Sequence, residues 1–107
     1  MALDNDFSEV TINPPTTSYV SGSVTASTTE AEAKVGGSAL TDRRMLYIEN
    51  TSTSTDVYYG PTGLAASSAS ATLKKNGGFV FLAVRDGIHV YLKTASGTAS
   101  CNVQEFA

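Results

Sequence analysis

The sequence predicts an all-β fold, a small antiparallel β-sandwich or β-barrel of jelly-roll-like type with an extended N-terminal arm. Its 107 residues suffice for a single domain. Charged residues make up only 16% of the chain, and Thr, Ser and Ala are its most frequent residue types, so it is short of the Glu, Lys, Leu and Gln that build helical surfaces. From residue 33 onward, short alternating runs are separated by Gly, Asn and Asp, which is typical of all-β domains.

Residues 1–32 are predicted to form the arm, and residues 33–107 the β-sandwich domain. The arm contains two adjacent prolines, and its apolar residues are scattered singly. It cannot bury enough apolar surface to fold alone, so we expect it to order against a partner, with a short strand at residues 19–25. A frayed terminus is the alternative. The arm side chains predicted to contact a partner are Phe7, Val10, Ile12 and Tyr19.

The domain begins with a predicted hairpin. Residues 44–50 alternate in polarity and place Leu46 and Ile48 on one face. A polar run of Thr and Ser follows, and residues 56–60 are predicted to return as the second strand of the hairpin.

The middle of the domain contains the strongest turn signal of the chain. A short strand is predicted at residues 72–73, followed by a turn at residues 75–78, where Asn-Gly and Gly-Gly pairs accept a positive φ. Residues 79–84 are apolar on both faces. This pattern predicts a strand that lies in the centre of a sandwich or has its outer face against a partner.

The last two strands alternate regularly. Residues 88–93 and residues 99–104 each place three apolar side chains on one face, and Gly-containing turns bound them. The predicted inward residues are Ile88, Val90 and Leu92 in the first of these strands and Ala99, Cys101 and Val103 in the second.

The sequence offers few residues for catalysis. His89, the single histidine, has an outward register and no carboxylate or Cys/His spacing around it, so we expect a surface or interface side chain. Cys101 has an inward register and is predicted to be a small buried hydrophobe. The acidic residues 4–6 lack the further ligands of a calcium loop. We therefore expect no enzyme, no cofactor and no metal.

Charge and hydropathy exclude several partners. The net charge is −3, and the basic pairs at residues 43–44 and 74–75 are too few for a nucleic-acid face, so we interpret them as salt-bridge residues. No segment approaches the ~20 apolar residues of a membrane span. The acidic N-terminus does not resemble a signal peptide, which predicts synthesis in a cytoplasm. We expect no nucleic acid, no membrane and no small-molecule substrate.

Three tyrosines stand out on registers opposite the predicted core. Tyr47, Tyr58 and Tyr91 combine a large apolar body with a polar tip, and such residues are enriched at protein interfaces. An ordinary cross-strand aromatic ladder on a solvated sheet is an equal alternative. A sugar-binding stripe is a third interpretation, although the chain contains no Trp.

The order of these segments resembles that of small tailed-bacteriophage virion accessory proteins, of the capsid decoration (cement) or head-fibre-base type. In the resembling pattern an Arg precedes an apolar strand, an Asn-Thr/Ser turn and a Val-Tyr-x-Gly strand, here at residues 44–60. A Leu-x-x-Gly approach, an Ile-Tyr-type strand and a closing Gly-Thr-Ala strand follow at 73–78, 88–91 and 96–105. The resemblance covers residues 33–107; the turn at 75–77 and His89 depart from it.

This resemblance implies a structural protein of the virion, made in the host cytoplasm. A decoration protein binds the outer surface of the head and stabilises it by bridging capsid subunits, so the implied partner is the major capsid protein and the implied assembly a homotrimer. A tail, neck or fibre-connector component is the alternative within this class. A carbohydrate-binding β-sandwich is the alternative of a different class, motivated by the three tyrosines.

Overall fold

The computed structural model describes residues 18–63 and 70–107, which form a sandwich of two four-stranded antiparallel sheets. The predicted all-β sandwich is confirmed. The first sheet has the order β1-β8-β3-β6 and the second sheet the order β2-β7-β4-β5. No helix occurs in the described ranges. The strands are β1 (Tyr19–Ala26), β2 (Ala31–Glu32), β3 (Met45–Asn50), β4 (Val57–Gly60), β5 (Ala71–Leu73), β6 (Phe79–Leu82), β7 (Tyr91–Lys93) and β8 (Ala99–Phe106).

The described part of the predicted arm belongs to the sandwich. β1 pairs with β8 over eight consecutive residue pairs, and β2 pairs with β7. Residues 18–32 therefore lie within the domain, and the domain starts earlier than the boundary predicted at residue 33. Main-chain hydrogen bonds hold this Ser- and Gly-rich strand, so it does not need many apolar side chains of its own. Residues 1–17, with Phe7, Val10 and Ile12, lie outside the described residues.

The predicted hairpin of residues 44–50 and 56–60 is wrong. Both strands exist, but β3 lies in the first sheet and β4 in the second. The polar connection crosses from one sheet to the other, and Asn50 holds it there. The buried Asn50 Nδ2 donates to the carbonyl oxygens of Thr55 at 2.8 Å and Leu73 at 2.9 Å, and its Oδ1 accepts from Ser52 N at 2.9 Å.

The core confirms most of the predicted inward registers. The fully buried apolar residues come from both sheets and form one cluster between them. The turn at 75–78 is also confirmed, with positive φ at Asn76 (66°) and Gly77 (99°). Ile88 differs, because β7 begins only at Tyr91 and Ile88 lies in the preceding turn, 54% exposed. The predicted inward residues found buried are Leu46, Ile48, Val90, Leu92, Ala99, Cys101 and Val103.

One core position is occupied by a charge. Glu105 continues the inward alternation of β8 after Val103, and its side chain is fully buried. Arg43, which directly follows the turn at residues 41–42 and lies two residues before β3, is also fully buried. Its Nη1 donates to Glu105 Oε1 at 2.7 Å. This confirms the salt-bridge interpretation for Arg43, while its neighbour Arg44 is exposed.

The remaining atoms of the Arg43–Glu105 pair bind main chain. The guanidinium donates to three carbonyl oxygens of one loop, and the carboxylate accepts from two N–H groups of another. The loop carbonyls belong to Val84, Arg85 and Ile88, and the N–H groups to Val35 and Leu40. Within the described residues no buried side-chain nitrogen or oxygen lacks a partner.

Replacing Glu105→Gln removes one charge of this buried pair and leaves Arg43 uncompensated. We expect the free energy of unfolding to fall by about 3 kcal/mol or more, measured by urea denaturation. Lys74→Met is the matched control, because it breaks an ion pair of 3.5 Å at a Lys that is 77% exposed. Such pairs contribute little. Equal effects of the two substitutions would show that the Arg43–Glu105 pair does not stabilise the fold.

Candidate functional site

Three aromatic side chains form an exposed cluster on the outer face of the first sheet. Tyr47 lies on β3, and Phe79 and Phe81 lie on the neighbouring strand β6. The ring centroid of Tyr47 is 4.7 Å from that of Phe81 and 5.9 Å from that of Phe79. Phe79 is 61% exposed and Phe81 54% exposed. We call these three residues the aromatic cluster.

The position of β6 explains why the two phenylalanines face solvent. β6 forms an edge of the first sheet, and its alternation sends Val80 and Leu82 inward against the core. The preceding turn fixes this register, because Gly77 N donates to Asn50 O and Asn50 N donates to Gly78 O. A one-residue shift would bury the phenylalanines and expose the aliphatic pair instead.

A second aromatic pair extends the apolar area of the same face. Tyr19 on β1 stacks on Phe106 on β8, with ring centroids 4.9 Å apart. Met45 is paired with Phe106 in the register of β3 and β8 and shares the face with Tyr47. Exposed apolar area of this extent is typical of protein interaction surfaces.

The chemistry of the aromatic cluster suits binding rather than proton transfer. Burial, together with the nearby Glu49 carboxylate, raises the pKa of Tyr47 above its ordinary value, so its hydroxyl stays neutral at physiological pH. Glu49 Oε1 also accepts from Asn102 Nδ2 at 3.3 Å. The aromatic cluster therefore exposes ring surface and one phenol hydroxyl, with the polar side chains of Glu49 and Asn102 beside it.

The predicted tyrosine set is divided between the two outer faces. Tyr47 and Tyr19 lie on the first sheet, whereas Tyr58 and Tyr91 lie outward on the second sheet, opposite the inward Tyr59 and Leu92. Tyr58 and Tyr91 are half-buried. A single sugar-binding stripe of Tyr47, Tyr58 and Tyr91 is therefore not present, since the core separates Tyr47 from the other two.

Three residues of the face were missed as site candidates: Phe79, Phe81 and Phe106. The apolar run at residues 79–84 gave a signal, because it allowed an outer face packed on a partner. Only the sheet order shows that β6 is an edge strand with its phenylalanines outward. Phe106 extends the last strand two residues beyond its predicted end.

The structure gives His89 a carboxylate partner that the sequence did not reveal. His89 Nδ1 lies 2.9 Å from Glu32 Oε2, and Lys34 Nζ lies 3.5 Å from Glu32 Oε1. Burial acts to raise the pKa of Glu32, but the hydrogen bond to His89 and the charge of Lys34 outweigh it, so the pKa is lowered. His89 also lines an open, mainly apolar cavity of about 500 Å³, together with Tyr59 and Leu82.

Cys101 is buried in the core, as predicted. Burial raises the pKa of its thiol to about 11, which keeps it protonated and unreactive. Across residues 18–63 and 70–107, no group of three or more His, Cys, Asp or Glu residues could hold a metal ion. The same ranges contain no helix with the length and hydropathy needed to cross a membrane.

The native protein is expected to react with Ellman's reagent at pH 8 only as fast as it unfolds, because the Cys101 thiol is both enclosed and protonated. In about 8 M urea, which unfolds the domain, the single thiol of each chain is expected to react at once. Rapid stoichiometric labelling of the folded protein would contradict the buried position of Cys101.

Comparison with known proteins returned no relative. The chain matches no protein-family model, and neither a curated protein sequence nor a solved structure matches it. The resemblance to phage virion accessory proteins therefore stays a prediction that depends on the order of the sequence segments.

Proposed function

We propose that this chain is a bacteriophage structural protein, a capsid decoration protein that binds the major capsid protein on the outer surface of the head. The observation that carries the binding role is the exposed aromatic cluster of Tyr47, Phe79 and Phe81. The sequence resemblance supplies the class of partner. By bridging neighbouring capsid subunits, the protein stabilises the shell.

The energetics of the aromatic cluster favour a protein partner. Burying a Phe side chain contributes about 1.5–3 kcal/mol, and Phe79 and Phe81 are both more than half exposed. Aromatic residues at the centre of an interface commonly supply most of its binding energy. On a lattice of identical subunits, even modest contacts act together through avidity.

The distribution of charge supports a second contact through the N-terminal segment. Residues 1–17 contain three of the ten acidic residues and none of the seven Lys and Arg residues, so the net charge of −3 resides there. The rest of the chain is balanced. Such a segment fits a basic groove on a partner, because opposite charge both steers and stabilises the encounter.

Replacing Phe79→Ser together with Phe81→Ser should weaken binding to heads assembled without this chain by about 100-fold, from the loss of two buried aromatic side chains. Co-sedimentation of the purified protein with such heads measures the affinity. Tyr58→Ser, on the outer face of the opposite sheet, is the matched control and should bind normally. Equal losses, or undiminished binding by the double variant, would remove the aromatic cluster from the proposed interface.

Deleting residues 1–17 keeps all eight strands, so we expect an unchanged melting temperature together with weaker head binding that no longer responds to salt. Deleting residues 1–26 also removes β1, which covers one edge of β8, and should unfold the domain. Differential scanning calorimetry and co-sedimentation measure the two effects. Full binding by the shorter deletion would exclude a role of the N-terminal segment in anchoring.

Copy number separates decoration from the tail, neck or fibre-connector alternative. A decoration protein covers the whole head lattice, whereas a connector occurs only at the tail or its junction, and quantitative gel analysis of purified virions distinguishes them. A glycan array tests the carbohydrate-binding alternative. That alternative was suggested by three tyrosines on one face, and the structure places them on two opposite faces.

A further inference from the structure

The long edge of β1 is unpaired within the described structure. β1 is the terminal strand of the first sheet, and its only partner there is β8. Ser18 and Ala107 exchange two main-chain hydrogen bonds of 3.0 and 2.9 Å. Since such bonding alternates along an antiparallel pair, the odd-numbered residues of β1 point their N–H and C=O groups away from β8. These residues are Tyr19, Ser21, Ser23 and Thr25.

This edge has none of the features that prevent strand addition. β1 keeps a continuous register with β8 over eight pairs, without a bulge, and it contains neither a charged residue nor proline. The other sheet edges are shorter: β2 has two residues, β5 three and β6 four. Ser21 and Ser23 are exposed. A long, regular, neutral edge is a template for another strand.

The sequence of β1 is symmetric about Gly22. Reading outward, Ser21 matches Ser23, and Val20 matches Val24. In an antiparallel pairing of two copies of β1 centred on Gly22, each outward-bonding residue meets another outward-bonding residue, so that Ser21 meets Ser23 and Tyr19 meets Thr25. In this register, which pairs all of residues 19–25, the free main-chain N–H and C=O groups of one copy therefore face those of the other. Self-complementarity of this kind is what a two-fold interface requires.

We propose that the edge of β1 binds the β1 edge of a second copy of this chain, antiparallel, with a two-fold axis at Gly22. Ser21 of one copy exchanges main-chain hydrogen bonds with Ser23 of the other, on both sides of the axis. Val20 meets Val24 of the second copy on the inner face. Gly22 places no side chain at the axis, where the two Gly22 residues form a non-hydrogen-bonded pair, the closer of the two kinds of residue pair in an antiparallel ladder.

The joined first sheets form one eight-stranded sheet. Because the axis is perpendicular to this sheet, both aromatic clusters face the same side, and the two β6 strands are separated by seven strand spacings, roughly 34 Å. If the proposed function holds, the dimer contacts the shell at two points and bridges subunits. The dimer itself does not depend on that function, and it replaces the threefold assembly that the resemblance implies.

Light scattering on the purified full-length chain, over a range of concentrations, tests the proposal without any phage particle. We expect a mass of twice 11.1 kDa. Ser21→Lys with Ser23→Lys places like charges opposite each other across the axis and should yield a monomer with an unchanged circular dichroism spectrum. Thr53→Lys with Ser54→Lys, which adds the same charge at exposed positions in the connection between β3 and β4, should remain a dimer.

Cysteine cross-linking tests the register. Residues in a hydrogen-bonded antiparallel pair have Cα atoms ~5.5 Å apart, which suits a disulfide. The double variant Ser21→Cys with Ser23→Cys should form a covalent dimer on a non-reducing gel, while each single variant should not. Cross-linking by S21C alone would place the axis at residue 21, and by S23C alone at residue 23; either result overturns the proposed register.

The remaining outcomes overturn the dimer itself. A trimer without cross-linking would favour the threefold assembly. A monomeric full-length chain that dimerises only after deletion of residues 1–17 would show that its own N-terminal segment occupies the β1 edge. Both results leave the proposed function open to its separate test on phage heads.

Discussion

The buried ion pair of Arg43 and Glu105 is the interaction on which the rest of the structure depends. Its two charged groups lie 2.7 Å apart without solvent access. Both groups also form hydrogen bonds with the main chain of two loops. Burying two charges is costly, so such a pair is stable only when its geometry is complete. Completeness here requires the loops at residues 35–40 and 84–88 to adopt fixed positions against the first sheet.

Asn50 closes the other end of the same strand. β3 begins just after Arg43 and ends at Asn50, so a buried polar residue marks each end of the core. The amide of Asn50 binds the connection between the sheets and the end of β5. A domain of this size has a modest apolar core. Its two ends are therefore held by hydrogen bonds to main chain, which position loops more specifically than apolar contacts do.

This internal arrangement leaves the outer face of the first sheet available for recognition. The aromatic cluster lies at one edge of that face, on β3 and β6, and the regular edge of β1 lies at the other. The second sheet has short edge strands and half-buried tyrosines. The proposed contact of the aromatic cluster and the proposed contact of the β1 edge therefore both involve the first sheet, the former through side chains on its face and the latter through main-chain groups at its edge.

The sequence by itself determined the fold class, the turn at Asn76 and Gly77, and the inward positions of most strands, because alternation and turn chemistry act between near neighbours. It did not determine the pairing of strands. The link from β3 to β4 has the length of a hairpin loop, yet it crosses between sheets, and only the buried bonds of Asn50 reveal this. Likewise, Glu105 was not recognised as a core residue, and Phe79 and Phe81 were not recognised as a site. Their environments depend on sheet order and on partners such as Arg43, 62 residues away in sequence from Glu105, which only the tertiary structure brings together.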